Sequence, residues 1–296
     1  MAPAKLNLYL DVLGRRTDGF HELETLLAPI RLYDRLVWSP CGADGSTDLA
    51  LAYDPSSPSR LTAALPADER NLVWRAVALL AQTAGMEPHG SFTLAKRIPI
   101  QAGLGGGSSN AAAALVLANK AWGINYPTAR LGELAAQLGS DIPFFLAGQS
   151  AVCRGRGERV EAVAGLPRLN VVVCAPAAGV STIECFRQLN APAWGDAANR
   201  PSSGRLVELI GRLQRGTIAA ALVSIRNSLQ LPALQLCPAI ERVAAAFAAL
   251  GCYAHQLTGS GSAYFGVMRS GRQARLAAAR LAAANLGTVF ATATCR

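Results

Sequence analysis

The chain has 296 residues, 51% of them hydrophobic, and carries 28 basic against 19 acidic side chains for a formal net charge of +9. Such length and apolar content bury a substantial core and suit two domains of ordinary size, which excludes a disordered chain. The longest apolar runs, 111–118 and 244–250, fall far short of the roughly 20 residues that a membrane span needs, so no bilayer crossing is expected.

In chain order, Leu6, Leu8, Leu10 and Val12 alternate with Asn7, Tyr9 and Asp11, a period-two strand that puts Lys5 and Asn7 on one face. A charged turn at 15–19 follows, Phe20-His21-Glu22-Leu23 re-enters an extended segment, and 36–38 and 49–53 read as further strands between loops at 40–48 and 54–60. Residues 71–84 have helical periodicity and 91–98 strand alternation. A helix is expected over 127–138, and Ser140-Asp141-Ile142-Pro143 restarts the chain with a cap and a first-turn proline. Strands with turns over 148–161, a boundary near Gly165-Leu166-Pro167 and a buried strand over 169–175 come next. Helices over 182–189 and 205–213 flank a linker at 190–204. The last stretch reads helix 239–250, strand 253–257, glycine turn 259–261, strand 263–268, helix 271–285 and strand 287–293. The fold class is α+β, with domains at 1–165 and 166–296, the second built around a small antiparallel sheet.

The most informative segment is Pro99-Ile100-Gln101-Ala102-Gly103-Leu104-Gly105-Gly106-Gly107-Ser108-Ser109-Asn110, which runs straight into an alanine-rich helix. Its four glycines allow positive φ and close approach of a ligand to the backbone. Ser108, Ser109 and Asn110 are expected to supply N-cap side chains at a helix N-terminus, which attracts anions. The pattern is neither a Walker loop, since the next lysine is Lys120, nor a Rossmann fingerprint, since position 108 is Ser. The plain alternative is a serine-capped turn without ligand, but one glycine would serve a turn, and three in a row cost backbone entropy.

Of the 28 basic residues 25 are arginines spread singly along the chain. Compositional bias explains the charge better than nucleic-acid binding, and no nucleic-acid partner is expected, although the excess favours a polyanionic small molecule. Lys5, Lys96 and Lys120 are the exceptions, and two lie beside motifs. The seven cysteines, at 41, 153, 174, 185, 237, 252 and 295, follow no metal-ligand spacing and read as small buried hydrophobes in a reducing compartment. Asn7 and Asp11 interrupt the N-terminal apolar pattern, so no secretory signal is expected and the location is cytoplasmic.

Three segments then stand together: Pro3-Ala4-Lys5-Leu6-Asn7-Leu8, the loop at 99–112, and Leu257-Thr258-Gly259-Ser260-Gly261-Ser262-Ala263. In this order and spacing the chain resembles the GHMP small-molecule kinases over essentially its whole length. Thr-Asp-Gly-Phe-His-Glu-Leu-Glu-Thr after the first strand resembles the branch that phosphorylates the 2-hydroxyl of a cytidine diphosphate alcohol in non-mevalonate isoprenoid synthesis. The resemblance implies a ribosomal-protein-type N-terminal domain, a ferredoxin-like C-terminal domain and an active site in the cleft between them. It implies ATP as phosphoryl donor, with Mg²⁺ whose ligands stay unassigned.

By the same resemblance the loop 99–110 wraps the ATP phosphates, and Asn71, Leu72 and Lys96 lie near the adenine. Asp141 is the catalytic base and Lys5 the catalytic lysine, while Asn7, Phe20, His21, Thr182 and Phe186 hold the cytidyl alcohol. Gly259, Ser260 and Gly261 form the second glycine turn. The chemistry agrees: phosphoryl transfer to an alcohol needs in-line positioning, charge neutralisation and a carboxylate to accept the hydroxyl proton. Lys5 can lower the pKa of Asp141, polarise the attacking oxygen or shield phosphate charge. Phe20 and Phe186 can sandwich the cytosine while His21 reads its edge. Ordinary structure offers its own reading of each: a solvated Lys5, Asp141 and Thr182 as helix caps, Phe20 and Phe186 as core. Gln101-Ala102 replaces a more glycine-rich lead-in, with little effect expected because only the later glycines need an unusual backbone. The competing functions are another GHMP kinase acting on homoserine, mevalonate or a sugar, or a non-catalytic nucleotide-binding regulator. Both a monomer and a dimer are compatible with the sequence.

Overall fold

The computed structural model describes residues 1–40, 49–58, 61, 65–193 and 204–295. Most of the predicted loop at 40–48, most of the linker at 190–204 and Cys41 lie outside the described residues. The chain forms two compact units, one of Met1–Ala4, Leu32–Ile100 and Gly105–Gly148, the other of Lys5–Arg31, Gln101–Leu104 and Gln149–Arg296. The units are therefore not the linear halves 1–165 and 166–296, because strands β1 (Ala2–Arg15) and β2 (His21–Ser39) each contribute to both. β2 is one 19-residue strand where two were expected. Residues 24–30 are buried on both faces, so the strand runs on through its middle without the polar alternation that marks its ends.

In the first unit, Arg35–Ser39 of β2 pairs antiparallel with β4 (Ser91–Ala95), and β4 pairs parallel with β3 (Ala50–Tyr53). Parallel neighbours need a crossover, supplied by α1 (Leu72–Ala84). Asn71 caps α1 by accepting Val73 N–H at 2.9 Å, and Gly85 ends it at φ 69. Its buried face, Val73, Ala76, Val77, Leu80 and Ala81, has the helical spacing. That face joins one core with Phe92 and Leu94 of β4, Leu115 and the alanines of α2 (Gly106–Ala121), Leu131 and Leu134 of α3 (Thr128–Leu138), and Ile142 of α4 (Ile142–Ala147).

In the second unit, Leu23–Leu27 of β2 pairs antiparallel with β5 (Ala151–Gly155), which forms a hairpin with β6 (Arg159–Ala162). The other sheet has the order β11-β7-β10-β9, all antiparallel, from β7 (Asn170–Ala175), β9 (Ala254–Leu257), β10 (Tyr264–Met268) and β11 (Thr288–Ala293). Val172, Cys174, Leu257 and Tyr264 of this sheet pack with Ile240, Val243 and Phe247 of α9 (Pro238–Ala248) and Ala274, Ala277 and Leu281 of α10 (Gly271–Ala283). Helices α5 (Thr182–Leu189) and α6 (Gly204–Gln214) take their expected places. Strand β8 (Arg226–Asn227) and the short helices α7 (Ile218–Leu222) and α8 (Gln230–Leu236) had no clear periodic signal and were not anticipated. Among the described residues no helix is long and apolar enough to cross a membrane.

Candidate active site

In the first unit, α2 begins at Gly106, earlier than expected, with Gly105 as its cap at φ 71. Ser108, Ser109 and Asn110 are therefore first-turn residues and not caps. The first return bond, Ser109 N–H to Gly105 O at 2.9 Å, leaves the preceding amides of α2 without helical acceptors. Ser109 Oγ and Asn110 Oδ1 are buried there with no hydrogen-bond partner, a state that costs about 1–3 kcal/mol per group unless a ligand satisfies it. Unspent amides and a helix dipole at this turn are the features by which a helix N-terminus can attract an anion, and the two orphan oxygens are acceptors that a cation or donor could satisfy.

The approach to this turn is held by Asp34, which the sequence reading missed. The fully buried Asp34 carboxylate pairs with the Lys96 ammonium and accepts Arg97 N–H at 2.7 Å and Ile98 N–H at 2.9 Å. The two captured amides explain why β4 stops at Ala95 and does not run to Ile98. A Cβ on Gly106 would lie 3.0 Å from Ile98 Cγ2 and 3.3 Å from Lys96 Nζ, so Gly106 is needed for close approach and not for positive φ. Lys96 thus turns inward beneath the start of α2. Leu72 also borders this turn, its Cδ1 3.6 Å from where a Cβ of Gly107 would stand. The Asn71 amide is spent on structure, capping α1 and donating to Tyr53 Oη at 2.9 Å and Pro66 O at 2.8 Å. Asp141 occupies the cap position of α4, at φ −83° and ψ −12°, yet its side chain makes no capping hydrogen bond.

In the second unit, Gln101 adopts φ 51 and Gly103 φ 73. The lead-in residue thus takes the left-handed backbone expected only of the later glycines. A Cβ on Gly103 would fall 2.2 Å from Thr258 O, so this segment is threaded against the second glycine turn. Ala263 N–H donates to Ala102 O at 3.0 Å and Lys5 N–H to Leu104 O at 2.9 Å, fixing 101–104 beside the turn and β1. Gly259 and Gly261 have φ 59 and 91, and Asn227 Nδ2 holds the turn through Leu257 O and Gly259 O.

Lys5 is buried at 4% exposure, so it is not a solvated charge. Its ammonium donates to Asn7 Oδ1 at 2.7 Å and sits 3.4 Å from where a Cβ of Gly259 would be. Asn7 Oδ1 also accepts from Thr258 Oγ1 at 3.1 Å, and Nδ2 donates to Thr25 Oγ1 at 2.9 Å. Asn7 and Thr25 therefore orient Lys5.

Thr182 is the first residue of α5 and not its cap. Ser181 caps the helix, and Thr182 Oγ1 shares a 2.7 Å hydrogen bond with Ser260 Oγ, joining α5 to the second glycine turn. Phe186 stacks on His21, centroids 4.7 Å apart, and Phe20 lies under the Arg156 guanidinium at 4.8 Å. Burial, with a smaller contribution from Arg15, lowers the His21 pKa from its ordinary 6.5. His89 stacks on Trp122, and His255 bonds Tyr264 Oη. None of the six described cysteines forms a disulfide, and burial pushes the thiols of Cys174, Cys185 and Cys252 up to about 11.

Two family models match the chain, the GHMP kinases N terminal domain over 71–149 and the GHMP kinases C terminal domain over 197–286. The chain is 39% identical over 280 residues to the 4-diphosphocytidyl-2-C-methyl-D-erythritol kinase of Pelotomaculum thermopropionicum, across 95% of this chain and 92% of that protein. It belongs to this family of GHMP kinases. The same-named enzyme of Methylobacterium radiotolerans is 39% identical across 97% of this chain and 94% of its own length. A crystal structure of 4-(cytidine 5′-diphospho)-2C-methyl-D-erythritol kinase superposes with a TM-score of 0.78 at 36% identity, covering 100% of this chain and 98% of that one. Mevalonate kinase of L. major, at 16% identity and TM-score 0.73, shares the fold. As a GHMP kinase the chain is an ATP-dependent small-molecule kinase.

Proposed function

We propose that this GHMP kinase transfers the γ-phosphoryl group of ATP to the 2-hydroxyl of 4-diphosphocytidyl-2-C-methyl-D-erythritol, releasing ADP. The observation that carries the reading is near full-length identity to kinases of that name, in a chain that keeps Lys5 buried beside the second glycine turn. Asp141 accepts the proton of the attacking hydroxyl, a role suited to a carboxylate. Lys5, aimed by Asn7 and Thr25, supplies fixed positive charge where negative charge develops on the transferring group. The start of α2 and the segment 99–105 cradle the phosphates, and Leu72 borders the adenine. Ser109 and Asn110, whose buried oxygens lack partners, fit a Mg²⁺–phosphate group. When bound, Mg²⁺ neutralises charge on the phosphate oxygens. Phe20, His21, Thr182 and Phe186 hold the cytidyl alcohol in a water-soluble, monomeric or dimeric cytoplasmic enzyme.

ADP release measured with ATP, Mg²⁺ and a panel of alcohols tests this reading. Turnover of the cytidyl alcohol is expected; turnover of homoserine or mevalonate in its place overturns it. Phe20→Ala is expected to raise KM for the cytidyl alcohol about tenfold, within the range for losing one base-stacking ring, with KM for ATP little moved. An unaltered KM for the alcohol removes Phe20 from the site.

His21 gives a pH signature. Because its folded pKa lies below 6.5, the unfolded chain takes up the proton first. The stability its neutral ring contributes is present above pH 6.5 and is lost as pH falls through the lowered folded value. Thermal midpoints measured on either side of this window are expected to fall less in His21→Phe than in wild type; identical slopes would count against it.

A further inference from the structure

The turn that carries Phe20 is closed on itself. Arg16 N–H donates to Phe20 O at 2.7 Å and Gly19 N–H to Arg16 O at 3.2 Å. Asp18 accepts Phe20 N–H at 3.1 Å and pairs with the Arg16 guanidinium at 3.0 Å, a contact that holds the Asp18 carboxyl below its ordinary pKa. The same guanidinium reaches Glu22 at 2.8 Å. Glu22, its side chain 7% exposed, also accepts Arg159 Nη2 at 2.5 Å and Gly155 N–H at 3.1 Å. One buried carboxylate therefore ties the Phe20 turn to the β5–β6 turn.

That second turn is shaped by Gly155 at φ 74 and Gly157 at φ 117, and Arg156 N–H is held by Glu158 Oε2 at 2.6 Å. It places the Arg156 guanidinium 4.8 Å from the Phe20 ring centre. Glu158 lies 4.0 Å from Arg156 Nε, too far for a hydrogen bond, so the cation leans on the ring. Phe20 remains 51% exposed although a cation covers part of it, which leaves room for a second planar partner. Phe186 stacks on His21, while the Phe20 ring is the more exposed of the two aromatic side chains.

We infer that Glu22 is a positioning residue for recognition of the cytosine base, fixing Phe20 and Arg156 as a two-layer platform whose open ring face receives the base. The inference rests on Phe20 being a substrate-binding residue. A ring braced from behind loses little freedom on stacking, and preorganisation of this kind is retained as affinity. A single carboxylate serves because charge-assisted bonds to three donors are short, directional and strong.

The test is calorimetric binding of cytidine 5′-diphosphate, with the ATP site filled by a non-hydrolysable ATP analogue, to wild type, Glu22→Gln and Arg156→Met. The dissociation constant is expected to rise about tenfold in Glu22→Gln and about threefold in Arg156→Met, while KM for ATP shifts less than about twofold. Wild-type protein that binds no cytidine diphosphate overturns the substrate reading. Wild-type binding preserved in both variants overturns the inference alone, as does an equal weakening of ATP, which would mark general loosening. If Glu22→Gln does not fold, Arg156→Met decides by the same criteria.

Discussion

Asp141→Asn is expected to lower kcat by about 10²- to 10⁴-fold, the usual contribution of a positioned general base, with KM for ATP nearly unmoved. The amide keeps the shape of the side chain but loses its negative charge and its ability to take a proton. Helix α4 starts with Pro143 within its first two positions, a residue preorganised for the first turn, and the Asp141 side chain adds no capping bond. Were Asp141 only a cap, its replacement by alanine would cost about 1 kcal/mol of stability and spare turnover. Single-turnover phosphoryl transfer by Asp141→Asn, measured beside a thermal melt, separates the outcomes: intact chemistry, whatever the melting point, would end the assignment of Asp141 as base.

Asp34→Ala is expected to destabilise the protein by about 3–5 kcal/mol, the cost of removing one partner of a buried ion pair. Asp34 is fully buried and Lys96 is 3% exposed, so neither solvent nor salt screens the ammonium left behind. The substitution also strips the acceptor from the amides of Arg97 and Ile98, which lead into the glycine loop. Stability and loop geometry should therefore fail together, with ATP binding weakened wherever the variant still folds. The double replacement Asp34→Leu with Lys96→Met is expected to recover only part of the stability, because it removes the unpaired ammonium but leaves the Arg97 and Ile98 amides without their acceptor. Urea unfolding of the three proteins is the measurement; a single variant as stable as wild type would show that the pair is dispensable.

Much of the active site is readable in one dimension where the chemistry depends on contiguous residues. The glycine loop, the strand alternation that sets Lys5 beside Asn7, and the helix over 182–189 follow from local rules, and they reappear in α2, in the 2.7 Å Lys5–Asn7 contact and in α5. Asp34 left a trace that could have been read: it shares strand parity with the buried Leu32 and Leu36, and a carboxylate on a core face needs a partner. The choice of Lys96 as that partner, 62 positions away, has no local signal. The start of α2 was misplaced for a related reason: Gly105 supplies the left-handed cap, so no serine is needed, and only the packed surroundings of Gly106 reveal why the helix can begin there.

Periodicity in the sequence by itself carried the α+β class, while the family, the expected phosphate loop and the residue types at each proposed role came from the resemblance of its motifs to a known family. Tertiary structure alone decided where charge and ring faces go. It buried Lys5 among Asn7, Thr25 and the second glycine turn, turned Lys96 inward to Asp34, and backed Phe20 with Arg156. It also divided β1 and β2 between two compact units that no linear boundary could have drawn. The physical reason is common to all of these: desolvating a charge or exposing a ring is settled by what packs against it, and those partners come from distant parts of the chain.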